Sequence, residues 1–132
     1  MRIILTSAEI ARFRSLLYSY PEALEALDAI EDCEGDVEDA AIGLAIQAGQ
    51  EPNTSERWLE GLTKRCRPII CRRDFKKELL QENLSPVAAA LKEAEICPPL
   101  LIAPVLIFVF KTGVDSFCES YEYKLSLDET LN

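Results

Sequence analysis

The side chains best equipped for covalent chemistry are five cysteines, at positions 33, 66, 71, 97 and 118. Two stand among arginines, in Arg65-Cys66-Arg67 and Cys71-Arg72-Arg73. Cationic neighbours favour the thiolate and lower a thiol pKa, which is what a nucleophilic or redox cysteine needs. Cys66 and Cys71 are therefore the candidate reactive thiols, as a redox or catalytic site or as a Cys66–Cys71 disulfide. The competing reading points Cys66 into the core one turn after Leu62, because free cysteine is among the most buried residue types. The count is odd and no Cys-x-x-Cys pair occurs, which argues against a secreted disulfide framework and against a zinc ribbon. Reduced thiols in a cytoplasm follow as the expectation.

Histidine is absent from all 132 residues. That excludes Ser-His-Asp and Cys-His catalysis, His-ligated metals and the side chain that shuttles protons near neutral pH. The run Asp32-Cys33-Glu34-Gly35-Asp36 resembles part of a calcium loop, but placing Gly35 sixth puts Ile30 first, and isoleucine cannot ligate. No glycine-rich phosphate loop, nucleophile elbow or dinucleotide fingerprint occurs. The expectation is a chain with no catalytic residues, no metal and no cofactor.

Charge is the least ordinary feature. The formal net charge is −9, from 14 Lys+Arg and 23 Asp+Glu. Nine acids, Glu22, Glu25, Asp28, Glu31, Asp32, Glu34, Asp36, Glu38 and Asp39, follow one another without a base between them. Eight bases, Arg57, Lys64, Arg65, Arg67, Arg72, Arg73, Lys76 and Lys77, are opposed within their segment only by Glu60 and Asp74. Opposite faces of this kind steer and orient association. They read as the acidic (22–39) and basic (57–77) surfaces of a protein-interaction module, binding a protein partner or a second copy. The alternative is that they are merely solvated, or offset each other. Trp58 and Phe75 among the bases raise nucleic-acid binding as a second reading. A chain at −9 with a long acidic stretch repels a polyanion, so that partner is unfavoured.

The elements that must position these residues read as helices. Length and 48% apolar composition fit one globular domain over 1–132. Thr6 and Glu9 have capping-box spacing at the start of a helix carrying Ile10, Phe13 and Leu17. Pro21 opens a second helix with Leu24, Leu27 and Ile30, stopped near Gly35. Asp36 caps a third, through about Ala48, with Gly49 as its stop and Val37, Ala40, Ala41, Leu44, Ala45 and Ala48 on its apolar side. Thr54 or Ser55 caps a fourth, with Trp58, Leu59, Leu62 and Cys66, ended or interrupted by Pro68. A fifth carries Phe75, Leu79 and Leu80. Ser85-Pro86 starts a sixth, with Val87, Ala90, Leu91 and Ala94.

Residues 100–110, LLIAPVLIFVF, hold no charge. They are too few for a membrane span, which needs about 20 apolar residues. They read as the buried centre, favouring a helix with Pro104 in its first turn. Tyr121, Tyr123, Leu125 and Leu127 alternate with polar residues, a strand pattern whose one short partner is Arg2–Leu5. The fold class expected is all-α, six to seven helices around 98–110, with a short β ribbon from the termini. The three-residue apolar run before Thr6 is too short for a signal-peptide core.

Overall fold

The structure is a computed structural model that describes residues 2–52 and 57–131, with side chains in the last helix followed to Tyr123, Ser120 excepted. The described residues form nine helices: α1 Ser7–Leu16, α2 Pro21–Asp32, α3 Val37–Gln47, α4 Trp58–Arg65, α5 Arg67–Ile70, α6 Arg73–Leu80, α7 Ser85–Ala94, α8 Pro99–Thr112 and α9 Val114–Leu131. Extended pairing among them is limited to one antiparallel bridge, Ile4 with Asp36. The chain is all-α, with more helices than the apolar stripes suggest and without the expected ribbon.

Local signals account for most helix ends. The Glu9 N–H donates to Thr6 Oγ1 at 3.1 Å, and the Thr6 N–H donates to the Glu9 carboxylate at 3.0 Å, a complete capping box. Asp36 caps α3 by accepting from the Asp39 N–H at 3.1 Å. Helix α2 ends with Glu34 left-handed (φ 57) and the Gly35 N–H bonded back to the Ile30 carbonyl at 2.8 Å. Helix α3 ends in the same hydrogen-bond pattern, with Gly49 at φ 82 and the Gln50 N–H on the Ala45 carbonyl at 2.8 Å.

The boundary at Pro68 is an interruption, and the one at Ser85 differs from expectation. Pro68 does not simply end α4; it sits in the first turn of the extra short helix α5, where a missing N–H costs nothing. Ser85 lies inside α7 with Leu84 at the N-cap, and no side chain caps that end. The expected caps Thr54 and Ser55 lie outside the described residues.

Helix α8 is the centre of the packing. It touches α2, α3, α4, α7 and α9. Every residue from Leu101 to Val109 is buried. It starts at Pro99, so Pro104 stands in its interior and not in its first turn. Having no N–H, Pro104 cannot bond the Leu100 carbonyl, and the helix runs on because its surroundings bury it on all sides. The expected core residues Ile10, Phe13, Leu17, Leu27, Leu44, Leu62, Leu79 and Leu91 are buried, each large apolar side chain contributing roughly 1.5–3 kcal/mol. Leu24 and Trp58 are only half-buried, and Leu80 is exposed. No single helix among the described residues is long and apolar enough to cross a membrane.

The tail is a helix, not a strand. Val114, Phe117, Cys118 and Tyr121 recur at helical spacing, the first three fully buried and Tyr121 packed on the core. That periodicity outweighs the alternation beginning at Tyr121. The extended N-terminus pairs instead with the corner between α2 and α3. The Leu5 N–H donates to the Gly35 carbonyl at 2.9 Å, and the Val37 N–H donates to the Ile3 carbonyl at 3.0 Å.

Candidate functional site

The acidic segment is largely engaged within the fold. Glu38 is 7% exposed and accepts the Ile3 N–H at 3.0 and 3.3 Å, so it pins the N-terminal segment and belongs to no outer face. Asp36 is also buried; besides capping α3 it pairs with Arg2 at 2.6 Å. Arg14 spans Asp28 and Glu31, each at 2.6 Å. Glu22 pairs with Lys92 at 3.6 Å, and Glu25 accepts from the Gln47 amide at 2.7 Å. Asp32, Glu34 and Asp39 make no ion pair with another described residue; they are exposed at the α2–α3 corner. With Asp36 nearby, the acids Asp32 and Asp39 add to burial in pushing the Cys33 thiol pKa up.

The basic segment does not form one face. Arg57, Lys64 and Arg67 line a cavity of about 280 Å³ between α4, α5, the end of α8 and the start of α9. Glu60, Thr112, Ser116, Phe108 and Phe117 complete its wall. Arg65 points elsewhere, into a second cavity of about 440 Å³ shared with Lys92, Cys97 and the prolines that open α8. On α6, Arg72 stacks over Phe75 at 4.6 Å and lies 3.6 Å from Asp74. Lys76 reaches Asp115 and Glu122 of α9 at 3.7 and 2.5 Å. Hydrogen bonding to Glu122 raises the Lys76 pKa. Arg65, Arg73 and Lys77 are exposed and make no ion pair with another described residue. The two charged segments thus find partners outside each other, among Arg2, Arg14 and Lys92 for the acids and Glu60, Asp74 and α9 for the bases.

Two residues of the first cavity's wall carry a buried polar atom, Arg67 Nε and Thr112 Oγ1, with no hydrogen-bond partner among the described residues. The Arg67 guanidinium is held 4.9 Å over the Phe117 ring, and Phe117 meets Phe108 edge-on at 6.5 Å. Thr112, Ser116 and Phe117 come from a part of the sequence that shows no chemical motif. Nothing short of the packing of α9 against α8 brings them to the arginines.

The thiols are arranged otherwise than the sequence suggests. Cys71 is bonded to Cys118, with Cα atoms 5.5 Å apart and 47 residues between them in sequence. The Cys66–Cys71 disulfide is not formed, Cys71 is no free nucleophile, and five reduced thiols become one disulfide and three thiols. The inference from cysteine usage to a reducing compartment loses its premise. An odd count conceals a single pair when the partners are far apart in the chain. Cys66 is fully buried and hydrogen-bonded with Cys97, which itself donates to the Pro98 carbonyl at 3.4 Å. The bond from Cys97 lowers the Cys66 pKa, helped by Arg65, while the same bond and burial push Cys97 up. Among the described residues no three His, Cys, Asp or Glu side chains converge as metal ligands.

No protein-family model, curated protein or solved structure matches this chain.

Proposed function

We propose that the chain is a non-catalytic protein-interaction module that associates through opposite charges, the exposed bases of α6 in one copy meeting the acidic α2–α3 corner of another. One observation carries this reading. After the internal ion pairs are formed, Asp32, Glu34 and Asp39 make no ion pair with another described residue on one side of the sequence, nor do Arg65, Arg73 and Lys77 on the other. Unpaired exposed charges of opposite sign on different elements orient an encounter more than they strengthen it. A contact between two different patches is head-to-tail, so it closes into a ring or extends into a filament.

The test is mass by light scattering after size exclusion. Raising salt from about 0.1 M to about 1 M shortens the Debye length from about 10 to about 3 Å. Assemblies at the lower salt should dissociate at the higher. Arg73→Glu with Lys77→Glu, exposed and one helical turn apart, should dissociate them at low salt with unchanged helicity. A monomer at both salts, or assemblies indifferent to both changes, refutes the reading.

A further inference from the structure

We propose that the Cys71–Cys118 bond is a reversible latch for α9, opened by thiol–disulfide exchange with a small dithiol reductant. The inference does not depend on the association reading. Cys71 sits at the turn between α5 and α6, and Cys118 lies in the second turn of α9. Gly113 alone joins α8 to α9. It stands at φ 98, and a Cβ there would meet nothing nearer than the Ser116 side chain at 3.9 Å, so the joint is uncrowded.

The seam under α9 is imperfectly packed. The cavity of about 280 Å³ lies along it, with Ser116 and Phe117 of α9 in its wall. Arg67, stacked on Phe117, and Thr112, at the end of α8, each keep a buried polar atom without a hydrogen-bond partner among the described residues. An unpaired buried donor or acceptor costs stability, and undocking returns it to water. The fully buried residues of α9, Val114, Phe117 and Cys118, all fall in its first five positions. Lys76 pairs with Asp115 and Glu122, but those acids are 76% and 47% exposed, and exposed pairs contribute little. A short buried face over a cavity leaves the covalent bond as the main restraint on α9.

The surroundings select Cys71 as the point of attack. Cys71 is 8% exposed and Cys118 is 0% exposed. Arg72 and Arg73 follow Cys71 directly, both exposed, and cations there draw an incoming thiolate and stabilise a departing one. A thiolate of the reductant attacks Cys71 Sγ. A bond from Cys71 to the reductant forms, the bond to Cys118 breaks, and Cys118 leaves with the electron pair and takes a proton. The second thiol of the reductant loses its proton and attacks the reductant sulfur of that mixed bond. The reductant closes into its own disulfide, and Cys71 leaves as a thiolate that takes the second proton. Two electrons have passed from the dithiol to the chain, and α9 is untied.

The experiment is hydrogen exchange on the whole chain, oxidised and in excess dithiothreitol. The readout is the ratio of protection between the α9 amides 114–123 and the α8 amides 105–109. Reduction should lower that ratio about 100-fold or more, since closing a loop with a 47-residue separation carries a weight of about a thousandfold. Exchange into oxidised dithiothreitol should restore it. A bond that only stabilises the whole fold lowers both sets alike, so an unchanged ratio overturns the proposal. Cys71→Ser/Cys118→Ser should show the low ratio without reductant and no further change with it; where that variant fails to fold, the wild-type comparison decides. Brief reaction with 2-mercaptoethanol, quenched in acid, should leave the mixed disulfide on Cys71, and an adduct on Cys118 overturns the assigned point of attack.

Discussion

Gly35 and Gly49 have nearly the same φ and should respond very differently to alanine. Both follow a helix with φ in the left-handed range, +88 and +82. An L side chain there costs about 1–2 kcal/mol. At Gly49 an added Cβ meets nothing within 4 Å, so Gly49→Ala should cost only that. At Gly35 the Cβ would lie 2.2 Å from the Leu5 carbonyl oxygen and 3.2 Å from the Leu5 carbonyl carbon and nitrogen. These are backbone atoms and cannot swing aside. Leu5 must retreat, breaking its N–H bond to the Gly35 carbonyl and pulling on the bond from Val37 to Ile3, about 1 kcal/mol each. Ile3 and Leu5 are 2% and 4% exposed, and losing half the burial of both costs roughly a further 2 kcal/mol. Gly35→Ala should therefore cost about 5 kcal/mol, against about 1–2 for Gly49→Ala. Urea unfolding followed by far-UV circular dichroism measures both. Hydrogen exchange should show the Leu5 and Val37 amides opening in Gly35→Ala alone. Equal costs within about 1 kcal/mol would refute the close approach of the N-terminal segment to the α2–α3 corner.

Three further outcomes follow from the same structure. Reducing the Cys71–Cys118 bond should lower the unfolding free energy by about 4 kcal/mol, the chain entropy released from a loop with a 47-residue separation; a difference below about 1 kcal/mol in urea titrations with and without reductant contradicts this. Glu34→Gly should stabilise the chain by about 0.5–1 kcal/mol, because the exposed Glu34 stands at φ 57 without need of its side chain; a loss of stability counts against that cap geometry. The hydrogen bond from Lys111, with the capping box, holds the Glu9 carboxyl below its ordinary 4.5, so its contribution is present above that pH and lost as pH falls through the lower folded value. Glu9→Gln should flatten the fall in melting temperature between about pH 5 and about pH 3, and an unchanged slope speaks against the Glu9–Lys111 contact.

The features legible without the fold lie within a turn or two of one another along the chain. The Thr6–Glu9 box, the Asp36 cap, the Gly49 stop and the buried run 101–109 were all legible, because a cap or an apolar period is made by neighbours three to five residues apart. The same locality explains the errors. Alternation from Tyr121 to Leu127 looked like a strand, since the burial of Val114, Phe117 and Cys118 that favours helix is a property of the packed core. Both charge runs were plain, yet their partners were not. Arg14 reaching Asp28 and Glu31, and Lys76 reaching Glu122, are contacts across helices that no spacing encodes. Tertiary structure alone sorted the bases, sending Arg57, Lys64 and Arg67 to one cavity and Arg65 to another. It alone joined Cys71 to Cys118 and set Thr112 and Phe117 beside Arg67. Helix ends are decided by hydrogen bonds the local chain can satisfy. A site is decided by which helices bury their apolar faces together, and in this protein that is settled around α8.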